Sequence, residues 1–266
     1  MRPKHLALVL AAGILAACGK ATHSEKRGDE PLRVGMELTY PPFEMQDDQG
    51  RPDGVGVKMA EALAHDLNRP LKIVPMQFDG LIPALKTGSI DLVISSMTAT
   101  DDRRQSIDFS DPYAFTALAM LVGSNSDIQS VADLSRRGGK VVVKSTTTGE
   151  SWAERNLPNL ARVAFQDEAA CVLEVAHGRA DAFIYDQLSI YRYHKENPRT
   201  TRALLEPIVE ESWAIGLRKG DDELKRQIND FLRRFRAEKG FARLGEEFLG
   251  EEKQLLESMG IPFILR

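Results

Sequence analysis

From Leu32 onward, short runs rich in branched aliphatic residues alternate with stretches whose apolar positions recur at helical spacing. Residues 32–38 (LRVGMEL) predict a strand. In 57–67 (VKMAEALAHDL), Val57, Ala60, Leu63, Ala64 and Leu67 fall on one face, the period of an amphipathic helix. Residues 71–76 predict a second strand, 80–88 a short helix stopped by Gly88, and 90–95 a third strand. This alternation predicts an α/β fold, a mainly parallel sheet flanked by helices.

The pattern restarts downstream. A short helix at 131–134 precedes strands at 140–144, 161–165 and 180–185, with helices at 149–156, 168–178 and 187–197. Two similar units in tandem predict two lobes. Residues 115–123 (FTALAMLVG) and 211–220 (ESWAIGLRKG) are apolar, extended and free of helix caps. They read either as two strands crossing between lobes, a geometry suited to hinge closure, or as plain core strands. From residue 221 the chain turns helical, with Leu224, Ile228, Phe231, Leu232 and Phe235 on one stripe and Gly240 as the expected stop.

The N-terminus departs from this rhythm. Arg2, Lys4 and His5 precede ten largely apolar residues at 6–15, too few to span a bilayer and right for the core of a signal peptide. The segment 1–18 ends in LAAC and resembles a bacterial lipoprotein signal, with Cys18 as the lipidated first residue of the mature chain. An ordinary signal cut at the small residues, or an Ala-rich helix, are the other readings. Residues 19–31 lack aromatics and branched aliphatics and read as a flexible tether.

Composition narrows the function. The 266 residues are 42% hydrophobic and 28% charged, ordinary for a folded protein, and a net charge of -4 argues against a nucleic-acid partner. With Cys18 lipidated, Cys171 has no partner, and its apolar neighbours at helical spacing predict a buried structural thiol. There is no HExxH, CxxC, phosphate-binding loop or GxSxG, and the histidines are scattered. No metal, cofactor or catalytic triad is expected.

Three polar clusters remain, each at a predicted strand end, where open α/β sheets bind ligands. Ser95, Ser96, Thr98 and Arg103 follow IDLVI. Lys144 to Glu150 (KSTTTGE) stand at a helix start, whose free N–H groups favour an anion. Tyr185 and Asp186 follow ADAFI. Hydroxyls at a strand end also serve as turns and caps; three such clusters in one chain point toward a site.

The stretches YPPFE (40–44), FDGLIPALKTGSIDLVISSMTAT (78–100), IDFSDPY (107–113), STTTGE and RADAFIYD (179–186) resemble family 3 extracellular solute-binding proteins. These are the polar amino-acid receptors of ABC importers, and the resemblance runs from about residue 32 to 248. Gly56 and Lys58 depart from the family's acidic positions, and Thr146 stands where many members have glycine.

The resemblance implies a two-lobe periplasmic binding protein fold (type II), joined by two hinge strands. Lobe 1 would comprise 32–118 plus 214–266 and lobe 2 119–213. It implies a monomeric receptor outside the cytoplasmic membrane, lipid-anchored in the periplasm or at the cell surface, that delivers a polar L-amino acid to an ABC permease. By motif position, Arg103 would clamp the ligand's α-carboxylate, leaving Arg104 a solvated neighbour and Asp101 and Asp102 as helix-start residues. Thr147 and Thr148 would take the same carboxylate, and Asp186 the α-ammonium, helped by Thr98 and the carbonyl of Ser96; Ser95 would complete that wall. Tyr40 and Phe78 would sandwich the aliphatic part of the ligand, core packing being the alternative. Glu37 facing Lys144 would suit a glutamine-like ligand; Glu37 alone suits a basic one, Lys144 alone glutamate, and a salt bridge between them leaves neither selective. Cyclohexadienyl dehydratases also resemble these receptors, with a glutamate at the position of Asp186; a soluble sensor for signalling is a further alternative.

Overall fold

The computed structural model describes residues 30–258, 260 and 262–265; Cys18, the expected signal and all but the end of the tether lie outside them. β1 (Leu32–Met36) opens the sheet with Leu32, Val34 and Met36 fully buried. A small hairpin of β2 (Met45–Gln46) and β3 (Pro52–Asp53) leads into α1 (Val55–Asp66). This helix buries the expected Val57, Ala60, Leu63 and Ala64, and starts two residues early so that Val55 and Gly56 join them. Gly56, the departure from the family pattern, makes room for a buried acid: a Cβ there would lie 2.2 Å from Glu44 Oε1.

β4 (Leu71–Pro75) and α2 (Phe78–Thr87) follow, and Gly88 ends the helix in the left-handed conformation at φ 76°. β5 (Leu92–Val93) has two residues where six were expected. Its flanks are committed elsewhere, Asp91 to Arg33, Arg69 and Arg218, and the Ser95 hydroxyl to the N–H of Glu37. α3 (Asp101–Arg104) is a single turn capped by the Thr100 hydroxyl, which accepts from the Arg103 N–H at 3.2 Å.

The sixteen-residue β6 (Asp108–Gly123) then carries the chain into the second unit. There α4 (Val131–Arg137), β7 (Lys140–Lys144), α5 (Thr148–Asn156), β8 (Ala161–Phe165), α6 (Glu168–Ala176), β9 (Ala182–Asp186) and α7 (Gln187–Glu196) alternate as the pattern predicts. β10 (Thr201–Leu217) returns over seventeen residues, and α8 (Asp222–Ala237), α9 (Gly240–Phe248) and α10 (Gly250–Ser258) follow. Gly240 does not stop α8. Lys239 takes the left-handed turn at φ 60°, and Gly240 opens α9, where a Cβ would strike the Phe235 ring at 2.6 Å.

Strand order is β4-β1-β5-β10-β6-β9-β7-β8. β1 runs parallel to β4 and β5, and β7 parallel to β8 and β9. Between these groups β6 and β10 pair antiparallel. Gly216 and Leu217 of β10 join the first group at Val93 and Leu92, while Leu118–Val122 of β6 join the second at Asp186–Ala182. Within one eight-stranded sheet, 115–123 of β6 and 211–217 of β10 are strands that lie between the two parallel groups. The largest apolar cluster runs across both groups, from Val34 and Met59 to Val142 and Phe183, and two smaller ones flank it, around Leu81, Leu85 and Ile107 and around Val141, Val143 and Ile184. Each fully buried side chain of this kind contributes about 1.5–3 kcal/mol. Cys171 is buried and unpaired, its thiol pushed up to about 12 by burial, which keeps it inert. Among the described residues no helix is long and apolar enough to cross a membrane.

Candidate functional site

The C-terminal ends of the parallel strands converge on one cleft. Glu37 follows β1, Ser95 and Ser96 follow β5, Thr147 and Thr148 follow β7, and Asp186 ends β9. The cavity between them is small, about 40 Å³, and Tyr40, Phe78, Thr98 and Arg103 also line it. Of the cleft residues singled out from the sequence, all but Lys144 line it.

Arg103 reaches in from α3. Its guanidinium donates to the carbonyl of Thr98 at 2.9 Å and, across the cleft, to that of Thr146 at 2.9 Å. Phe78 lies under it with the ring centroid 5.3 Å away. Among the described residues no carboxylate is within ion-pair distance of it. Burial pulls the guanidinium down to about 10, opposed by the field of Glu211, so it stays charged at neutral pH. Arg104 is off the cleft, over Phe109 at 5.3 Å.

Of the two arrangements open for Lys144, the structure shows the salt bridge with Glu37. Lys144 is 3% exposed and ion-paired with Glu37 and, at 2.8 Å, with Glu168 of α6. Tyr185 and Tyr193 donate to the same Glu168 at 2.9 and 2.7 Å. Burial works against the ammonium, but Glu168 and Glu37 outweigh it and raise its pKa. Glu168, whose role nothing local in the sequence signals, makes the salt bridge a three-member cluster and leaves Lys144 behind the wall.

Asp186 serves two masters. Its carboxylate accepts from the N–H groups of Leu188 and Ser189 at the start of α7, at 3.0 and 3.3 Å, and from the Thr116 hydroxyl at 2.5 Å. Burial still pushes its carboxyl above the usual aspartate range. The Thr98 hydroxyl donates to Glu211 at 3.1 Å. The Thr147 hydroxyl donates back to the Lys144 carbonyl at 2.7 Å and does not cap α5, so the first N–H groups of that helix stand uncapped beside the cleft.

Two non-glycine residues at the cleft adopt the left-handed region, Ser96 at φ 48° and Thr146 at φ 62°. Thr146 thereby aims its carbonyl at Arg103. Ser96 donates to Glu44 at 2.9 Å, and burial without a cation pushes the Glu44 carboxyl up to about 8. Tyr40 stacks on Phe43 and meets the edges of Tyr185 and Trp213, so it is both core and wall.

Sequence reasoning missed Glu211, Trp213 and Leu118, which also line the cleft. All three lie on β6 or β10, segments read as crossing or core strands and not as cleft wall. The available signal was the period of two: Glu211 and Trp213 are two apart and share a face of β10.

Comparison with known proteins agrees with this geometry. The model for bacterial extracellular solute-binding proteins, family 3, matches residues 32–251. The L-cystine-binding protein TcyJ of Escherichia coli (strain K12) is 30% identical over 253 residues, covering 93% of this chain and 94% of its own. Among solved structures, the ancestral amino acid-binding protein AncCDT-1, a precursor of cyclohexadienyl dehydratase, is 36% identical with a TM-score of 0.76, covering 84% of this chain and 96% of its own. An ancestral arginine-binding protein, solved with arginine and with glutamine, is 34% and 35% identical; both structures give a TM-score of 0.77 over 84% of this chain and 99% of theirs. The architecture is the type II periplasmic binding protein fold, and the chain belongs to family 3 of the bacterial extracellular solute-binding proteins.

Proposed function

We propose that this protein is an extracytoplasmic amino-acid receptor that feeds an ABC permease. The observation that carries the reading is the charged Arg103 guanidinium at the cleft wall, whose hydrogen bonds among the described residues go to backbone carbonyls and not to a carboxylate. Such a group suits a ligand carboxylate, because a planar fork binds both oxygens at once. The uncapped start of α5 at Thr147 and Thr148 adds N–H groups for the same anion. Asp186, with the Ser96 carbonyl and Thr98 nearby, takes the α-ammonium, and Tyr40 and Phe78 flank the aliphatic portion.

The side chain then points toward Glu37. Lys144, spent on Glu37 and Glu168, leaves the cleft and its rear wall with more acids than cations. That surplus favours a basic amino acid ahead of a glutamine-like one. An ancestral arginine-binding protein solved with arginine and with glutamine supports both within one fold. Binding in place of catalysis is supported by the binding names of these relatives and by Asp186, which keeps the receptor pattern.

On this reading β6 and β10 are the hinge between lobe 1 (32–118 with 214–266) and lobe 2 (119–213), and the chain works as a monomer. Cys18 carries the lipid anchor after signal removal, holding the receptor outside the cytoplasmic membrane. A thermal-shift screen of the common L-amino acids, ornithine, citrulline and prephenate tests the proposal. A true ligand at hundredfold excess over Kd adds about 2.7 kcal/mol and raises Tm by roughly 5–10 °C. No shift with any amino acid, or turnover of prephenate to phenylpyruvate, overturns it.

A further inference from the structure

One acid on the cleft wall has no role in that reading, on which this inference rests. Glu211 stands on β10 opposite Thr116 of β6. It lines the cleft beside Arg103, Thr98 and Thr148. Its carboxylate accepts from Thr98 Oγ1 at 3.1 Å and is further held by the Thr148 hydroxyl. Two charges face it: Arg103 from α3 favours its anion, and Asp186 from β9 opposes it. Glu150, the acid in the first turn of α5, is turned away onto the Thr146 N–H at 2.7 Å.

Glu211 therefore already draws on Arg103 and Thr148, the groups assigned above to the ligand's α-carboxylate. A docking amino acid brings a second carboxylate to one guanidinium. Like charges sharing one site do not both stay ionised. The α-carboxyl is the stronger acid, about 3.3–3.7 against about 4.3 for a glutamate, so the proton goes to Glu211. We propose that Glu211 takes up one proton from solvent as the ligand docks, changing from a competing anion into a hydrogen-bond donor to the ligand's α-carboxylate. Capture is then proton-coupled. Affinity is greatest at low pH and falls as pH rises above the value at which Glu211 ionises in the free protein, by up to about tenfold per pH unit.

Titration calorimetry tests this with the strongest ligand from the amino-acid screen, L-arginine first, in phosphate and in Tris at pH 7 and 8. The difference in observed enthalpy between buffers reads the protons taken up. Wild type is expected to take up a net fraction approaching one, and Glu211→Gln, which keeps the shape and the hydrogen bonds, close to none. At pH 8 the variant should bind several-fold more tightly than wild type. The pH profile of the wild-type Kd reads the same linkage without any variant. Binding with no uptake overturns the proposal and leaves the receptor reading standing. Uptake that survives in Glu211→Gln overturns it too, by moving the proton to Asp186. A screen in which no amino acid binds overturns both.

Discussion

Lys144 ends β7 and Arg103 sits on α3, and both are cations at the cleft end of the sheet. Yet Lys144 is ion-paired with two carboxylates, while the hydrogen bonds of Arg103, among the described residues, go to the carbonyls of Thr98 and Thr146, with the field of Glu211 beyond ion-pair distance. Removing a charge from water costs several kcal/mol, and the two sites recover it differently. At Lys144 the recovery is internal and complete, which makes the group part of the frame. At Arg103 it is partial, which leaves a field for an incoming anion. Glu44 is the mirror case, a buried acid with no cation paired to it among the described residues, and burial pushes its carboxyl up to about 8, so it keeps its proton at neutral pH. The lesson is that a charge at a cleft marks a ligand contact only when its own surroundings leave it unanswered.

The contrast can be broken at each of these residues. Lys144→Met leaves Glu37 and Glu168 buried without a cation, and stability should fall by about 3–5 kcal/mol in urea denaturation. A loss below about 1 kcal/mol would mean the cluster is not part of the frame. Glu44 comes next. Its carboxyl is raised in the fold, so its contribution is full below the ordinary glutamate range and is lost as pH rises through about 8. Wild type should therefore lose on the order of a few kcal/mol between pH 5 and 9, and Glu44→Gln should flatten that slope. Equal urea midpoints across this range in wild type would contradict the account.

Arg103→Ala follows, with affinity for the best amino-acid ligand expected to drop about a hundredfold or more, the value of a charge-assisted pair. Arg104→Ala, one residue away and off the cleft, should change it by less than about twofold. Equal losses for the two in calorimetry would end the assignment of Arg103.

Much of this was legible in the chain. The helices and strands of both units follow from period and caps, because they bury one face, and Val57, Leu63 and Leu224 carry that face openly. The cleft residues were legible because strand ends, hydroxyl clusters and family motifs coincide at Ser95 to Arg103 and at Thr147 and Thr148. Glu211 and Glu168 were hidden for a different reason. Glu211 reaches Thr98 across 113 residues and Glu168 reaches Lys144 across 24, so only the fold reveals what they answer. The fate of Lys144 could not be read from its own segment, since it depended on an acid contributed by α6.

The chain enters the domain at a fixed point. Arg69 holds the carbonyls of Glu30 and Pro31 at 3.0 Å each, and Leu32 donates to Pro70 at 2.7 Å before β1 begins. Five strand residues later, about 16 Å along at roughly 3.3 Å each, comes Glu37 at the cleft. Whatever precedes Glu30 therefore pulls on one end of β1 while the ligand works at the other. A pull from that side would load the first strand of the sheet before it reached the cleft.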